Sequence, residues 1–566
     1  MKTVSLKKQC QKKLLLLFSC FILTANFSAL QLKAQTSGWL TDSTINVIDG
    51  SSPLYNNVLP GDTVYIKAGN RNKLRIQNFK GTLIKPVTFM NAGGIVTIST
   101  NDYYGISILN CRYARFSGQG DSSNFYGIQV KRVANGAGIG VGALSSDYEI
   151  DHISIENCAT EGIIAKTDPD CSFRASRDSF TQFNTSIHDN FIADVGDEGL
   201  YIGSSYYSGM RLTCNGKDTL VMPAILNIVK VYNNIVKRTG WDGIQVSSAP
   251  LHCQIHHNTI INDSQAGTNN QMSGILMGGG SKCDCYNNKI TDGKGDGIED
   301  HGLGGNKIYN NIILNAGKSF QPANASQMKH GIFVSDISVM QDSSFCILFN
   351  DIINPKSDGI RFQSVKSKHN LIASNLIINP GNFNLYETDN TSFNGNDAYV
   401  MIPNGTADVQ LKNNFFTTNI TVAGISLTDY AVLPSSPLIN RGYQLEHSIT
   451  ADFNNARRQV GGYYDIGAIE YQSGDDRLFD TAGSKVLLFP NPVQSKLNIR
   501  YLATDISTTL FQVFTLSGQL VFQQSKQILF PGMQELQMNA GKLLSGMYFY
   551  SIQNGQSIAF GKFSKL

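Results

Sequence analysis

The residues of this chain that could carry chemistry concentrate around one tripeptide, Glu299-Asp300-His301. A carboxylate and an imidazole this close in sequence can share and move a proton, which is the basis of general acid–base catalysis. Basic residues stand near corresponding positions of the two following repeats, where they could neutralise the carboxylate of an acidic sugar. The candidate catalytic residues are therefore Glu299, Asp300, His301, Lys329, His330 and Arg361.

Two short phrases recur along the chain and must position these residues. The first is an apolar residue, two further residues, an asparagine, one residue and a second apolar residue, and it occurs eight times between Ile187 and Phe416. The second is Gly-Ile or Gly-Leu, which follows six of the eight copies. The smallest spacing between asparagines is 23 residues, so the excess elsewhere forms loops, as in stacked repeats. The repeated asparagines are Asn190, Asn234, Asn258, Asn288, Asn311, Asn350, Asn375 and Asn414.

The composition of the repeats favours strands over helices. The segments are short, rich in Ile and Val, and bounded by Gly, Asn and Asp. One coil cannot bury its own inward residues, but coils stacked about 4.8 Å apart pair their backbone groups. Asparagines at equivalent turns can then hydrogen-bond to each other in a ladder, which is a structural role. The sequence predicts an all-β fold, a right-handed parallel β-helix followed by a small C-terminal β-sandwich.

Strand parity predicts which side chains face out of the coils after each Gly-Ile. Asp300 falls in the inward, otherwise apolar column, where a carboxylate is costly unless it is paired, bound to metal or displaced by an early strand end. The inward column is Ile202, Val246, Met277, Asp300, Val334 and Phe362. The outward column is Tyr201, Gln245, Leu276, Glu299, Phe333 and Arg361. A second outward column beside it is Gly203, Ser247, Gly278, His301, Ser335 and Gln363.

Loop lengths predict a cleft over the same residues. The connection before Gly-Ile is long at residues 262–273 and 316–330 and short at 291–296, so two raised loops flank a low one. A groove of this kind would hold an extended glycan over the catalytic candidates. The metal content is left unknown, with calcium open as a cofactor. The candidate substrate-binding residues along the groove are Tyr201, Trp241, Asp242, Gln245 and Phe333.

The N-terminal residues predict export. Residues 1–34 contain five early lysines and an apolar run from Leu14 to Leu23, with a small residue before Gln35, as in a secretory signal peptide. No other stretch approaches the ~18 apolar residues of a membrane span. The chain carries 46 basic and 43 acidic residues, and six of the lysines lie in the signal, so the exported part is slightly acidic. This balance argues against nucleic-acid binding.

Eight cysteines remain after the signal. Cys253 and Cys283 occupy the same place in consecutive coils, and Cys285 is two residues further on. Their expected spacing permits a disulfide in an exported protein, and stacked free thiols in the core fit equally well. The disulfide state of these three residues is left open.

The two ends of the body carry a resemblance. Residues 38–100, with Pro60-Gly61-Asp62-Thr63-Val64 and later short strands, resemble the opening coils of exported right-handed β-helix proteins, including polysaccharide lyases of the chondroitinase and alginate lyase type. Residues 435–442 and 464–471 resemble the closing segment of such proteins. That resemblance implies that the closing segment covers the last coil, with Asp465 and Glu470 in a capping role.

The tail carries a more specific resemblance. Phe489-Pro490-Asn491-Pro492, the alternating strands near residues 514–521 and 546–550, and the terminal Gly561-Lys562-Phe563-Ser564-Lys565 indicate a small β-sandwich. They strongly resemble the type A C-terminal sorting domain of the type IX secretion system. The resemblance implies transport across the outer membrane, contact with the secretion machinery, and anchoring or release of the body.

Together these observations predict five segments and two classes of function. The protein is predicted to be secreted or held at the outer-membrane surface and to act on polysaccharide, as a lyase or glycoside hydrolase of acidic glycans. The alternative is a non-enzymatic glycan-binding or adhesin-like surface protein. The predicted segments are residues 1–34 (signal peptide), 35–100 (opening coils), 101–472 (β-helix with closing segment), 473–484 (linker) and 485–566 (sorting domain).

Overall fold

The structure, a computed structural model, describes residues 38–323, 327–381, 399–445, 449–472, 486–503, 506–528, 532–555 and 557–566. The predicted signal peptide and the predicted linker lie outside these residues. All features described below belong to the unit Gly38–Leu566.

The body is a parallel β-helix, which confirms the predicted fold. A complete coil contains three short strands, and equivalent strands of successive coils pair in parallel to form three long sheets. The first sheet contains Gly38–Thr41, Thr63–Arg71, Val87–Thr100, Arg112–Ser117, Ser146–Asp151, Thr181–His188, Ile225–Tyr232, Leu251–His256, Cys283–Tyr286, Lys307–Tyr309, Cys346–Leu348, Asn370–Ala373 and Val409–Lys412.

Two strands of the first sheet, Thr63–Arg71 and Val87–Thr100, continue into the second sheet, and their C-terminal halves are its first two strands. Its other strands are Ile128–Val133, Ile153–Cys158, Phe191–Val195, Ile235–Thr239, Thr259–Ile261, Lys289–Thr291, Ile312–Leu314, Asp351–Ile353, Leu376–Ile378 and Phe415–Thr417. The third sheet contains Val47–Asp49, Leu74–Gln77, Tyr104–Leu109, Ala137–Gly142, Ile163–Ala165, Leu200–Ile202, Ile244–Val246, Ser273–Met277, Asp296–Asp300, Ile332–Val334, Ile360–Phe362 and Val400–Met401.

The glycine of the Gly-Ile phrase marks the corner at which a coil enters the third sheet. A Cβ at Gly274 would lie 2.4 Å from Cγ2 of Ile290, and a Cβ at Gly297 would lie 2.4 Å from Cγ2 of Ile313. These isoleucines point into the core from the second sheet of the next coil. Glycine therefore recurs because any side chain here would collide with the core.

The asparagine ladder is confirmed. The Nδ2 of each ladder asparagine donates to Oδ1 of the next one at 2.9 to 3.1 Å. The backbone N–H of each also donates to that same Oδ1. The residue before each asparagine has a left-handed backbone, for example Asn287 at φ 54° and Asn310 at φ 54°. This bend turns the chain from the first sheet into the second and points the amide inward.

A second, shorter ladder follows the second sheet and was missed in the sequence. Asn315 donates to Asp292 at 2.8 Å, Asn354 to Asn315 at 3.3 Å, and Asn379 to Asn354 at 2.9 Å. All four residues have left-handed backbones at the end of a coil strand. Side-chain ladders therefore support two of the corners of these coils.

The closing segment packs along the side of the β-helix. Its apolar residues Leu438, Ile466 and Ile469 form a buried cluster with Ile312 and other outward residues of the second sheet. A 3-10 turn, Val460–Gly462, lies between the two parts of this segment. A short helix, Ile420–Ala423, and another 3-10 turn, Pro403–Gly405, precede it in the chain. The expected covering of the last coil is incomplete, since Leu411 and Phe416 are 45% and 40% exposed.

Two buried carboxylates of the closing segment find partners within it. Arg458 and Glu470, both fully buried, form an ion pair at 3.1 Å. The carboxylate of Asp465 accepts the backbone N–H groups of Asn440 and Tyr471, each at 2.6 Å. Asp465 and Glu470 therefore hold the fold of the segment itself.

Two disulfides cross-link the body. Cys253 and Cys283 are joined between consecutive coils, while Cys285 is a buried free thiol. Cys171 is joined to Cys214 in a hairpin, Met210–Cys214 and Lys217–Val221, that projects from one coil. The Cys171–Cys214 disulfide links two irregular insertions, so it could not be predicted from the spacing of the repeats.

The tail is a β-sandwich with its own core, as predicted. One sheet contains Val486–Phe489, Lys496–Ala503 and Gly532–Asn539, and the other contains Thr508–Phe514, Leu520–Gln527, Gly546–Asn554 and Ser557–Lys565. All strand pairs within these two sheets are antiparallel. A 3-10 turn, Ala540–Lys542, follows the strand Gly532–Asn539 of the sandwich. The helices of the described residues are all far too short to cross a membrane.

Candidate functional site

The outward face of the third sheet is called the groove below, because the sequence predicts a cleft over it. Strand register stacks its outward residues in one column across successive coils, as strand parity predicted. On the side where chains leave the sheet, two insertions meet over Gly280, whose backbone N–H donates to Ser338 Oγ at 3.1 Å. The ring of Tyr207, from the other insertion, also lies against Gly280. The column is Tyr201, Gln245, Leu276, Glu299, Phe333 and Arg361.

Glu299, His301 and Ser335 form one hydrogen-bonded chain on this floor. His301 Nε2 lies 2.6 Å from Glu299 Oε1, and His301 Nδ1 lies 2.5 Å from Ser335 Oγ. Burial alone would lower the pKa of His301, but the charge and hydrogen bond of Glu299 raise it. Burial would raise the pKa of Glu299, and the interaction with His301 lowers it. The two residues therefore favour an imidazolium paired with a carboxylate.

Lys329 lies beside this chain. Its Nζ is 3.0 Å from Asp296 Oδ2, and the side chain is 12% exposed. Burial would lower the pKa of Lys329, but the charges of Asp296 and Glu299 raise it. The other oxygen of Asp296 accepts the backbone N–H of His330 at 2.6 Å. Lys329 is therefore a fixed cation next to the Glu299–His301 pair.

Arg361 and His330 share a second buried carboxylate, that of Asp358. Arg361 Nη1 lies 2.9 Å and His330 Nδ1 lies 3.2 Å from Asp358 Oδ2. The Arg361 side chain is 26% exposed, whereas His330 is buried. Of this pair, Arg361 alone presents a charge to the groove.

Asp300 does not belong to the groove, which corrects the predicted floor. Its side chain is fully buried and faces the interior of the coil. One carboxyl oxygen accepts the backbone N–H of Gly302 at 2.9 Å and Nδ2 of Asn306 at 3.0 Å. Burial raises the pKa of Asp300 to about 7. The floor consists of Glu299 and His301, and Asp300 supports the turn that follows them.

The predicted substrate-binding residues divide in the same way. Tyr201 and Phe333 are partly exposed on the groove floor. Trp241 is partly exposed at the entering edge, the edge at which each coil enters the third sheet. Gln245 is buried and donates to Ser205 Oγ at 2.6 Å. Asp242 is fully buried, and burial raises its pKa well above the ordinary value. Asp242 and Gln245 therefore lie behind the surface that a glycan could contact.

Sequence reasoning missed a column of acids at the entering edge of the third sheet. The residue before the Gly-Ile or Gly-Leu phrase is acidic in most coils, and backbone hydrogen bonds stack these positions in register. The signal was present in the sequence as a recurring acid–Gly–apolar phrase. Two of these acids have a cation within hydrogen-bond distance, Asp296 with Lys329 and Asp358 with Arg361. The acidic members are Glu161, Glu198, Asp242, Asp296 and Asp358.

The carboxylates of the groove are already paired with cationic side chains, and this decides whether they could also bind calcium. Glu299 pairs with His301, Asp296 with Lys329 and Asp358 with Arg361. A calcium ion would have to displace one of these partners, so the arrangement does not fit a preformed calcium site.

One group with the spacing of metal ligands occurs within the described ranges, and it lies on the first sheet. It comprises Glu149, Asp151 and His188. Arg115 Nε lies 3.1 Å from Glu149 and 2.8 Å from Asp151, so these carboxylates have a cationic partner.

A cleft of about 310 Å³ lies elsewhere on the body, and none of the predicted site residues lines it. Its lining includes Asn110, Thr167 and Asp168.

The coil architecture and the groove define a right-handed parallel β-helix protein with an appended β-sandwich. Residues 487–565 match the family described as "Secretion system C-terminal sorting domain". The tail is therefore a sorting domain, and the protein is secreted or exposed at the cell surface. Among solved structures, a similar chain is that of the "Crystal structure of pectate lyase Pel9A", with 12% identity and a TM-score of 0.35. The match covers 74% of this chain and 90% of that chain. Comparison with curated proteins gives no match.

Proposed function

We propose that this exported protein cleaves an acidic polysaccharide bound along the groove of the third sheet. The observation that carries the proposal is the Glu299–His301 pair, at 2.6 Å, on the floor of a groove that also holds Lys329. A positioned carboxylate and imidazole can accept and return a proton. A β-helix alone does not imply chemistry, so the proposal rests on this site.

The roles follow from charge and exposure. Glu299 and His301 move the proton at the cleaved glycosidic bond. Lys329 and Arg361 place positive charge where an acidic sugar presents its carboxylate, and both are held by buried acids, Asp296 and Asp358. Fixed charges of this kind stabilise negative charge without reorganising during the reaction.

The test is a depolymerisation screen of the exported protein against acidic polysaccharides, read by new reducing ends and by unsaturated-uronate absorbance. Both signals together indicate elimination, and reducing ends alone indicate hydrolysis. We expect Glu299→Gln to reduce turnover by ~100-fold or more, since it removes one proton-transfer partner.

The control for this variant is Glu156→Gln. Glu156 pairs with Lys131 at 3.0 Å on the second sheet, away from the groove, and its loss should leave turnover unchanged. Equal activity of Glu299→Gln and the parent, on a substrate the parent cleaves, would rule out this site.

A second candidate, glycan binding without cleavage, is favoured by Tyr201 and Phe333. Both rings are partly exposed in the outward column, and the Lys166 ammonium lies 4.6 Å from the centre of the Tyr201 ring. Aromatic rings provide large apolar contacts for binding. Polysaccharide retention that Tyr201→Ala weakens, with no product from any substrate tested, would support binding over cleavage.

A further inference from the structure

We propose that the same site also hydrolyses ester groups carried by the bound polysaccharide, with Ser335 as the nucleophile. The inference rests on the proposed function, because it takes the groove to be a polysaccharide site. It differs in the bond that is cleaved, an ester, and in the residue that attacks it, Ser335. It starts from the chain Ser335–His301–Glu299, which contains a hydroxyl, an imidazole and a carboxylate in hydrogen-bonded order.

The stacking of coils produces this geometry. Asp300 pairs with Val334 in the register of adjacent strands, so the next residues, His301 and Ser335, are neighbours in successive coils. The backbone N–H of Ser335 donates to Asp300 O at 3.1 Å, which fixes the separation of the two residues. His301 and Glu299 are two residues apart and lie on the same outward side of the coil.

The three side chains satisfy the requirements of an activated nucleophile. A serine needs an adjacent base, and the base needs a third group that orients it. His301 Nδ1 lies 2.5 Å from Ser335 Oγ, and Glu299 Oε1 holds the opposite ring nitrogen at 2.6 Å. Because the charge of Glu299 favours the imidazolium, His301 must first lose its Nδ1 proton to solvent. The neutral ring, with its remaining proton on Nε2 facing Glu299, then accepts the serine proton at Nδ1.

The reaction balances with water as co-reactant. Ser335 Oγ attacks the ester carbonyl carbon while His301 Nδ1 takes the hydroxyl proton. The bond between the carbonyl carbon and the oxygen of the alcohol then breaks, and His301 returns the proton to the leaving alkoxide. Water then attacks the acyl-serine, again losing a proton to His301, and releases the carboxylic acid and the free serine. Acetyl esters of sugar hydroxyls are the simplest substrates of this class.

Ser247 provides a matched comparison within the same column. It occupies the corresponding position after the strand Ile244–Val246, and it is buried. Its hydroxyl lies 3.4 Å from Gln245 Nε2, an amide that cannot act as a base. A serine at this corner is therefore compatible with a structural role, and the imidazole distinguishes Ser335.

The test uses a fluorophosphonate probe on the full exported protein, with the labelled residue identified by peptide mass mapping. We expect the probe to label Ser335, to label the Ser247→Ala variant equally, and to leave Ser335→Ala unlabelled at that peptide. Labelling of His301→Ala should be ~100-fold slower, since the base is removed. Acetate release from an acetylated polysaccharide should follow the same order.

Two results would overturn the inference. One is an unlabelled Ser335 in parent protein with a normal melting transition. The other is equal acetate release by the parent and by Ser335→Ala. If Ser335→Ala fails to fold, the mapping of the parent decides alone. Labelled Ser335 with acetate release and no depolymerisation would support ester hydrolysis while removing the cleavage proposed above.

Discussion

At the scale of single residues, Asp300 shows how this fold holds an acid in its core. Asn306 Nδ2 donates to one oxygen of Asp300, while the other oxygen and Asn306 Oδ1 are both buried without a hydrogen-bond partner. Burial raises the pKa of Asp300 to about 7. A protonated carboxyl can donate as well as accept, which lowers the cost of its burial.

The contacts of Asp300 predict opposite results for two substitutions. Asp300→Asn keeps the acceptor for Gly302 and Asn306 and should leave the free energy of unfolding nearly unchanged. Asp300→Val leaves the Gly302 N–H and the Asn306 amide unpaired and should cost ~1 to 3 kcal/mol. Denaturant unfolding of both variants measures this. A valine variant as stable as the parent would mean that these bonds contribute nothing.

At the scale of elements, periodicity determined what could be predicted from the sequence. Asn288 belongs to a phrase that recurs eight times and Gly297 to one that recurs in six of those coils, so the ladder and the outward column were predictable from spacing alone. The Cys171–Cys214 disulfide joins two insertions of unequal length, which leave no period to follow. The closing segment lacks repeats as well, and its packing on Ile312 depends on contacts more than 100 residues apart in sequence.

The candidate site was predictable to the same extent. Column parity placed Glu299 and Arg361 on the outward face, whereas the burial of Asp242 depends on its surroundings at the entering edge. The acid that precedes the Gly-Ile phrase in most coils was visible in the sequence, but its direction was not predicted, because it stands next to the corner where strand alternation begins.

The ladder predicts a graded loss of stability along its length. Asn288 accepts two hydrogen bonds from Asn258 and donates to Asn311 and to Ile255 O, all buried. Asn414 is partly exposed and stands last in the ladder. Asn288→Ala should therefore cost ~2 kcal/mol or more, and Asn414→Ala clearly less. Thermal melting compares the two, with the exposed Asn56→Ala, outside the ladder, as the control. Equal shifts at positions 288 and 414 would contradict an energetic ladder.

At the scale of the whole molecule, export and folding belong to different parts of the chain. The buried cores of the body and of the sorting domain share no residue. Deleting residues 485–566 should therefore leave the melting temperature of the body unchanged and retain the protein in the periplasm, because the sorting domain is missing. Cell fractionation of the truncated and the full chain measures this. Truncated protein recovered outside the cells would exclude the assigned role of the tail.

The buried acids predict that the folded protein is more stable at pH 6.5 than at pH 8.5. Burial raises the pKa of Glu198, Asp300, Asp351 and Glu470 to about 7. A carboxyl with a raised pKa contributes stability that is complete below its unfolded pKa and is lost as the pH rises through its folded pKa. His256, whose pKa burial lowers to about 3, acts mainly below pH 6.5. Lys356, whose pKa burial lowers to about 8, opposes the trend only in the upper part of the range and is outnumbered by the four acids.

The size of this effect can be tested group by group. Between pH 6.5 and 8.5, a carboxyl with a folded pKa of about 7 should lower the free energy of unfolding by roughly 1 kcal/mol, because only the last part of its titration lies in this range. Thermal unfolding between pH 6.5 and 8.5 should therefore show a falling melting temperature. Asp300→Asn should make this dependence shallower, because the amide has no proton to lose and only the other acids still titrate, whereas the exposed Asp429→Asn should leave it intact. A melting temperature that stays constant or rises over this range would show that these carboxyls ionise in the folded protein without cost.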